Sequence, residues 1–384
     1  MPTASRRWPS WKGWQMADST RMHDLAEAGV SAWIDSLSRE MLDSGALARL
    51  IEEDSIVGVT SNPTIFQKAL AEGDLYDEQL REIAATTDDP VEIFFALGMT
   101  DIRDACDLML PIWERTAGVD GWVSLEVDPT LAYEREKTFD QAIRFNKEVD
   151  RPNLYVKIPA TEPGLGAIED CIAKGVSINV TLIFSLERYA AVAEAYLRGL
   201  ERLVAGGGDP ANVLSVASFF VSRVDSEADK RLEVVGRSDL QGKLAVANAR
   251  LAYQHYLDVF GDDRWAYLAG KGARPQRCLW ASTSAKNPAY RDVMYVEELI
   301  GPDTVNTMPI ETVRAFADHG EVKVGSITGG IGEANQLLAD LAAAGIDYDI
   351  VVDTLEAEGV EKFADSFAEL LDGIRAKVGS LASA

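Results

Sequence analysis

Short apolar segments of strand length alternate with longer amphipathic segments eight times along this chain of 384 residues. Such alternation predicts β-strands joined by helical crossovers, and therefore a parallel sheet covered by helices. The predicted strands are 32–35, 56–62, 121–128, 153–161, 177–184, 213–221, 277–284 and 304–308. Eight consecutive strand–helix units favour a closed (β/α)8 TIM barrel over an open sheet.

A doubly wound sheet would normally carry a glycine-rich phosphate loop after its first strand, and the sequence has neither GxGxxG nor GxxxxGK[ST]. The clearest helices are predicted at 90–117, 132–149, 164–174, 186–205 and 360–378. No internal repeat marks a second domain. We therefore expect one α/β domain over 22–384, a barrel with extra helices, after a disordered tail or an overlong gene start at 1–21.

Charge and the content of cysteine and histidine exclude several classes of function. With a net charge of −25 and a pI near 4.5, the surface repels nucleic acid and anionic membranes. No apolar run is long enough to span a membrane, and no apolar stretch follows Arg6 and Arg7 as an export signal requires. The three cysteines and three histidines have no metal-ligand spacing. We expect a cytoplasmic protein with no metal, cofactor, nucleic-acid or membrane partner.

Lys157 stands at the centre of the fourth predicted strand, between the apolar residues Val156 and Ile158. Strands of an all-parallel sheet are covered on both faces, so a charge there is costly unless it is paired or loses its proton. A lysine without its proton is a nucleophilic amine, which Schiff-base chemistry requires. The alternatives are a surface lysine on an edge strand and one end of a structural ion pair, for which Glu126 is the candidate partner.

Polar residues recur on one face of three successive predicted strands. Side chains alternate between the two faces of a strand, and in a barrel one face points to the axis. The inner face carries Glu126, Lys157, Asn179, Thr181 and Ile183, and Asp35, Asn62 and Ser218 are further candidates from other strands. Each polar residue alone can be explained as a turn residue or a satisfied core group. Their coincidence predicts a site at the C-terminal mouth, where barrel active sites lie.

An acidic protein needs a local cluster of cations to hold an anionic substrate. Arg223 follows the sixth predicted strand and Lys286 follows the seventh, and barrels often bind phosphate after their last strands. The alternative is that both are ordinary surface cations. The pattern predicts a phosphate-binding site at the mouth.

Six ordered segments of the sequence resemble the transaldolases, and the longer chain resembles their actinobacterial-type branch. The segments are GVTSNPT at 58–64, VSLEVDP at 123–129, VKIPAT at 156–161, INVTLIFS at 178–185, ASFFVSR at 217–223 and WASTS at 280–284. The resemblance extends from about residue 23 to the C-terminus. It implies a transferase of the pentose phosphate pathway, a class I aldolase barrel of carbohydrate metabolism without metal or cofactor. This barrel would pass a dihydroxyacetone unit between the pairs sedoheptulose 7-phosphate/glyceraldehyde 3-phosphate and erythrose 4-phosphate/fructose 6-phosphate.

The resemblance also implies a role for each residue of the predicted site. Lys157 would form the Schiff base, Glu126 with a water held by Thr181 would shuttle protons, and Asp35 would be the base at the C4 hydroxyl. The expected substrate contacts are Asn62, Asn179, Ser218, Phe220, Arg223, Ser284 and Lys286. The better-known branch has an arginine after the seventh strand where this chain has Lys286, and the segment around Asp35 matches least.

Two alternatives remain open at this point. A fructose 6-phosphate aldolase, which releases free dihydroxyacetone, resembles the chain at the lysine strand but tends to have Gln at the position of Glu126 and Tyr at that of Phe220. A sugar-phosphate-binding barrel without catalysis could lose Lys157 or Glu126, and both are present. We expect small sugar phosphates as partners and a monomer or a homodimer.

Overall fold

Eight parallel strands close into a barrel in sequence order, β1 pairing with both β2 and β8. The computed structural model describes residues 20–61 and 73–381. The strands are β1 Val30–Asp35, β2 Ile56–Thr60, β3 Trp122–Glu126, β4 Leu154–Pro159, β5 Ile178–Ile183, β6 Ser215–Phe220, β7 Arg277–Ala281 and β8 Thr304–Met308. The predicted (β/α)8 barrel is confirmed.

Fifteen helices of the described residues surround the barrel or extend it. They are α1 Arg21–Glu27, α2 Arg39–Asp43, α3 Ala46–Glu53, α4 Asp77–Ala84, α5 Pro90–Arg115, α6 Arg135–Val149, α7 Glu162–Ala173, α8 Leu186–Ala205, α9 Ser222–Val234, α10 Leu244–Val259, α11 Asp263–Gly270, α12 Met294–Glu297, α13 Ile310–His319, α14 Ile331–Ala343 and α15 Tyr348–Leu381. Of the predicted tail at 1–21, residues 1–19 lie outside the described residues. No helix in the described part of the chain is both long and apolar enough to cross a membrane.

Helix starts are encoded by capping residues directly after the strands. At the end of β4 the Thr161 hydroxyl accepts the Gly164 N–H at 3.1 Å and starts α7, and after β5 the Ser185 hydroxyl accepts the Arg188 N–H at 2.9 Å and starts α8. Such side-chain oxygens satisfy N–H groups that have no partner within the helix. These caps define where the helices that follow β4 and β5 begin.

The C-terminal helix is longer than predicted. The sequence suggests 360–378, whereas α15 runs without a break from Tyr348 to Leu381. Gly359 lies inside it, and a Cβ added there would lie 3.1 Å from a methyl group of Leu182 in β5. Glycine, usually a helix-weakening residue, here allows close packing of α15 on the barrel.

Aromatic side chains fill the axis of the barrel below the predicted site. Trp122 and Tyr155 stack with ring centroids 4.0 Å apart, and Trp33 stacks on Tyr155 at 6.1 Å; all three are at most 2% exposed. A Cβ built on Gly58 of β2 would lie 2.4 Å from the Trp33 indole, so glycine is required where this ring lies. At this level the barrel axis is thus a packed core.

One prediction of side-chain direction is wrong because β5 contains a bulge. Its register with β6 shifts between Val180 and Ile183, and Leu182 has a φ of 59°. Strict alternation would place Ile183 on the axis with Thr181. Instead Ile183 pairs with Phe219, whose ring packs against Tyr189 of α8 outside the barrel. A bulge inserts one residue and reverses the alternation beyond it.

Candidate active site

Three adjacent strands place Glu126, Lys157 and Asn179 side by side on the barrel axis. Glu126 of β3 is the register partner of Lys157 in β4, which is in turn the partner of Asn179 in β5. Residues paired in a parallel sheet point to the same face. The shared inner face predicted for these residues is confirmed.

Lys157 and Glu126 form a buried ion pair at the centre of this row. The ammonium Nζ donates to the Glu126 carboxylate at 3.1 Å, and each residue is 6% exposed. Burial raises the pKa of Glu126 above its usual range, while the lysine opposes that shift. A carboxyl group with a raised pKa next to an amine can both accept and return a proton near neutral pH.

Two oxygens beside the ion pair are buried without a hydrogen-bond partner among the described residues. They are the second carboxylate oxygen of Glu126 and the hydroxyl of Thr181. Buried polar groups are normally satisfied, and exceptions concentrate at functional sites. Both groups can therefore hold a water molecule.

Asn179 belongs to a chain of polar groups across the barrel. Its amide NH2 donates to the Ser124 hydroxyl at 3.0 Å, and its amide oxygen accepts the Ser218 hydroxyl at 2.7 Å. All three residues are at most 2% exposed. These bonds fix the orientation of the amide, which leaves one N–H and one lone pair to bind a ligand.

Asp35 lies at the C-terminal end of β1 and is held by Thr60, whose hydroxyl also contacts that of Thr307. Thr60 of β2 donates to the Asp35 carboxylate at 2.7 Å, and the Thr60 and Thr307 hydroxyls are 2.7 Å apart. Thr307 belongs to β8, the other neighbour of β1. The chain of hydroxyls orients the carboxylate toward the cavity.

Two cations lie at the rim of the cavity. The Arg223 guanidinium stands over the Phe220 ring at 5.1 Å, and Lys286 Nζ donates to the Ser284 hydroxyl at 2.7 Å. Burial lowers the pKa of Arg223, which Asp35 and Glu358 oppose. The pKa of Lys286 is lowered mainly by burial and, to a smaller extent, by repulsion from Arg223.

A cavity of about 220 Å³ joins these groups at the barrel mouth. Its lining contains eight of the predicted site residues: Asp35, Lys157, Thr181, Ser218, Phe220, Arg223, Ser284 and Lys286. Glu126 and Asn179 are not in this lining and contact it through Lys157 and Ser218. Asn62 lies outside the described residues.

The other six lining residues were not predicted as site residues: Thr60, Ala281, Ser282, Thr307, Pro309 and Phe363. The two threonines could have been found, because alternation along β2 and β8 places them on the inner face. Phe363 had no such signal. It lies on α15, and its ring is 5.7 Å from Lys157 Nζ only because this helix packs across the mouth.

The donor groups of the described residues do not form a metal site. They contain no cluster of three or more His, Cys, Asp or Glu side chains that could hold a metal ion. What they do form is a buried amine paired with a carboxyl group, a second carboxylate and two cations around one cavity. This set suits covalent chemistry on the carbonyl group of an anionic small molecule.

Comparison with known proteins agrees with this geometry. The model of the family described as transaldolase/fructose-6-phosphate aldolase matches residues 32–374. A transaldolase of Parafrankia sp. is 54% identical over 368 residues, covering 95% of this chain and 100% of that protein. The transaldolase of Frankia alni is 52% identical over 364 residues, covering 94% of this chain and 98% of that protein. The transaldolase of Mycobacterium marinum is 54% identical over 362 residues, covering 93% of this chain and 97% of that protein. The chain therefore belongs to the transaldolase/fructose-6-phosphate aldolase family.

Proposed function

We propose that this protein is a transaldolase of the non-oxidative pentose phosphate pathway. It transfers a dihydroxyacetone unit from fructose 6-phosphate to erythrose 4-phosphate, or in the reverse direction from sedoheptulose 7-phosphate to glyceraldehyde 3-phosphate. The observation that carries the proposal is the buried Lys157–Glu126 pair at the cavity of a chain more than half identical to proteins named transaldolase.

The reaction begins when the Lys157 amine attacks the C2 carbonyl of the ketose. The ammonium first gives its proton to Glu126 across the 3.1 Å hydrogen bond, which removes both buried charges. Glu126 then protonates the departing hydroxyl of the carbinolamine, through a water at Thr181, and an imine with a positive charge forms.

Cleavage follows when Asp35 takes the proton of the C4 hydroxyl. The C3–C4 bond breaks, its electron pair moves into the protonated imine, and the aldose phosphate leaves as an aldehyde. The three-carbon enamine stays on Lys157 until the acceptor aldehyde binds, and the same steps then run in reverse. Asn62, Asn179 and Ser218 would hold the hydroxyls of the three-carbon unit.

The phosphate of either sugar would bind between Arg223 and Lys286. Burial lowers the pKa of both cations, and repulsion from Arg223 adds to the effect on Lys286. A phosphate dianion between them would offset the lost hydration and the repulsion. Phe220 and Ser284 line the same part of the cavity. A cytoplasmic location is part of the same proposal, because the substrates of the pathway are small cytoplasmic sugar phosphates. The proposal also includes a monomeric or homodimeric protein.

The test is product analysis with fructose 6-phosphate, with and without erythrose 4-phosphate. Sedoheptulose 7-phosphate formed only with the acceptor, and lost in Lys157→Ala but kept in the surface control Lys271→Ala, is the expected result. Borohydride reduction should then leave a three-carbon adduct on Lys157, seen by peptide mass analysis. Free dihydroxyacetone without acceptor would instead indicate an aldolase, and binding without turnover would indicate a binding protein.

A further inference from the structure

Helix α9 carries two carboxylates that hold the chain segment after Lys286. Asp229 accepts the Tyr290 hydroxyl at 2.6 Å, and Asp225 accepts the Tyr295 hydroxyl at 2.8 Å. Arg223 lies in the first turn of the same helix. The two cations of the rim therefore belong to two segments that these hydrogen bonds tie together.

The second oxygen of each carboxylate binds a third segment. Asp229 accepts the Gly242 N–H at 2.9 Å, and Asp225 accepts the Ala245 N–H at 2.7 Å. Gly242 has a φ of 69°, and a Cβ there would lie 2.7 Å from the Tyr290 ring. The ring and the hydroxyl of Tyr290 are thus both fixed, in a joint between α9, the start of α10 and the segment after β7.

The other end of the Lys286 loop is anchored at β7. The Ser222 and Ser282 hydroxyls are 3.0 Å apart, and the buried Thr283 hydroxyl donates to Asn306 at 2.8 Å. Residues 284–289, which include Lys286, lie between this anchor and Tyr290. A loop fixed at both ends loses less conformational freedom when its lysine binds an anion.

We propose that Tyr290, held by Asp229, is a positioning residue for phosphate recognition. It keeps Lys286 facing Arg223, so that the two cations bind one phosphoryl group. Lysine is a flexible point charge without the rigid fork of arginine, so its placement depends on the backbone that carries it. The proposal rests on the proposed function for its substrate, a sugar phosphate, but it also predicts binding of inorganic phosphate.

The first experiment is calorimetric titration of inorganic phosphate into the wild-type chain and Tyr290→Phe. We expect phosphate to bind about three- to ten-fold more weakly to the variant, which loses one hydrogen bond to a charged group. KM for fructose 6-phosphate should rise by a similar factor while kcat changes little. The control is Tyr196→Phe, whose buried hydroxyl bonds Val213 and Arg274 at the N-terminal ends of β6 and β7 and should leave both quantities unchanged.

A double-mutant cycle separates positioning from general stabilisation. If Tyr290 acts through Lys286, the Tyr290→Phe change should have no further effect on phosphate binding in a Lys286→Ala background. Asp229→Asn should reproduce the effect of Tyr290→Phe in the wild-type background and gives a second route if that variant folds poorly.

Either of two results would overturn the inference. One is unaltered phosphate binding in both Tyr290→Phe and Asp229→Asn; the other is an effect of equal size with and without Lys286. Phosphate binding with the expected coupling, in a chain that forms no sedoheptulose 7-phosphate, would refute the proposed function and leave the inference standing.

Discussion

At the scale of single residues, the Lys157–Glu126 pair can exist in a charged and a neutral form. The charged form has the stronger mutual attraction, whereas the neutral form avoids the cost of burying two ions. With both residues 6% exposed and the pKa of Glu126 raised by burial, the two forms are brought closer in free energy than they would be in water. A small free-energy difference between the two forms is what an amine nucleophile with a neighbouring proton acceptor needs.

Glu126→Gln should lower kcat by about 10²- to 10⁴-fold, because an amide cannot accept the proton of Lys157 or return it to the carbinolamine. KM should change much less, since Glu126 is not part of the cavity lining. Steady-state kinetics with fructose 6-phosphate and erythrose 4-phosphate measure both. The control is Asp128→Asn, whose carboxylate bonds within its own turn to Thr130. A kcat of Glu126→Gln within a few-fold of wild type would contradict the proton-shuttle role.

Asp225 gives a pH-dependent contribution to stability. Burial raises its pKa to about 6, while the Ala245 N–H and the Tyr295 hydroxyl oppose the shift. Because the folded-state pKa lies above the unfolded one, the stabilisation is fully present below about pH 4 and is lost as the pH rises through about 6. Relative to Asp225→Asn, the wild type should lose roughly 2–3 kcal/mol of unfolding free energy over this range. Urea unfolding between about pH 4 and 7 measures it. Parallel profiles of the two proteins would contradict the shifted pKa.

At the scale of secondary-structure elements, α15 determines how closed the mouth is. Its first residue, Tyr348, donates to Asn248 at 2.7 Å, and Glu356 pairs with Arg188 at 3.2 Å. These contacts hold the helix against α10 and α8, so that Phe363 stands over Lys157. An enclosed mouth protects a carbanion-like intermediate from protonation by water.

Phe363→Ala should cause part of the three-carbon unit to be released to water instead of being transferred. With the ring removed, water reaches the enamine on Lys157, and fructose 6-phosphate should release free dihydroxyacetone without acceptor, while the transfer rate falls roughly ten-fold. Coupled assays of dihydroxyacetone and sedoheptulose 7-phosphate give the partition ratio. The control is Leu370→Ala, at a fully buried position on the same helix. It should cost about 2–4 kcal/mol of stability without releasing free dihydroxyacetone. Equal partition in both variants would show that Phe363 acts only on stability.

At the scale of the whole molecule, closure of the barrel is what assembles the site. Asp35 from β1 reaches Thr307 of β8 through Thr60 of β2, and the cations after β6 and β7 complete the same cavity. Thr60 and Thr307, which are 247 positions apart in sequence, thus line one cavity. The packed aromatic layer around Trp33 supports this arrangement from below.

Gly58→Ala should destabilise the whole barrel by about 1–3 kcal/mol or more, because the new methyl group overlaps the rigid Trp33 indole. Gly373→Ala is the matched control: it lies exposed inside α15 with no atom near its added Cβ, and should stabilise by roughly 0.5–1 kcal/mol. Urea unfolding of both variants measures the difference. Stability of Gly58→Ala equal to wild type would mean that β2 or Trp33 moves freely, contrary to a packed axis.

Much of the fold and the centre of the site were predictable, because they depend on local rules. Strand and helix lengths, capping residues and side-chain alternation are properties of neighbouring residues, and they placed Glu126, Lys157 and Asn179 on one inner face. The same rules failed where the backbone departs from regular geometry. The bulge at Leu182 turned Ile183 outward, and the C-terminal helix, predicted to begin at 360, begins at Tyr348.

The sequence by itself thus determined the alternation of elements, the closed barrel that eight such units form, and the residue types at the centre of the candidate site. Only the tertiary structure decided that Phe363 covers Lys157, that Thr307 supports Asp35, and that Tyr290 ties the Lys286 loop to the helix of Arg223. The physical reason is the range of the interactions. Alternation and capping act over a few residues, whereas these contacts join segments far apart in sequence and exist only once the barrel has closed and α15 has packed across it.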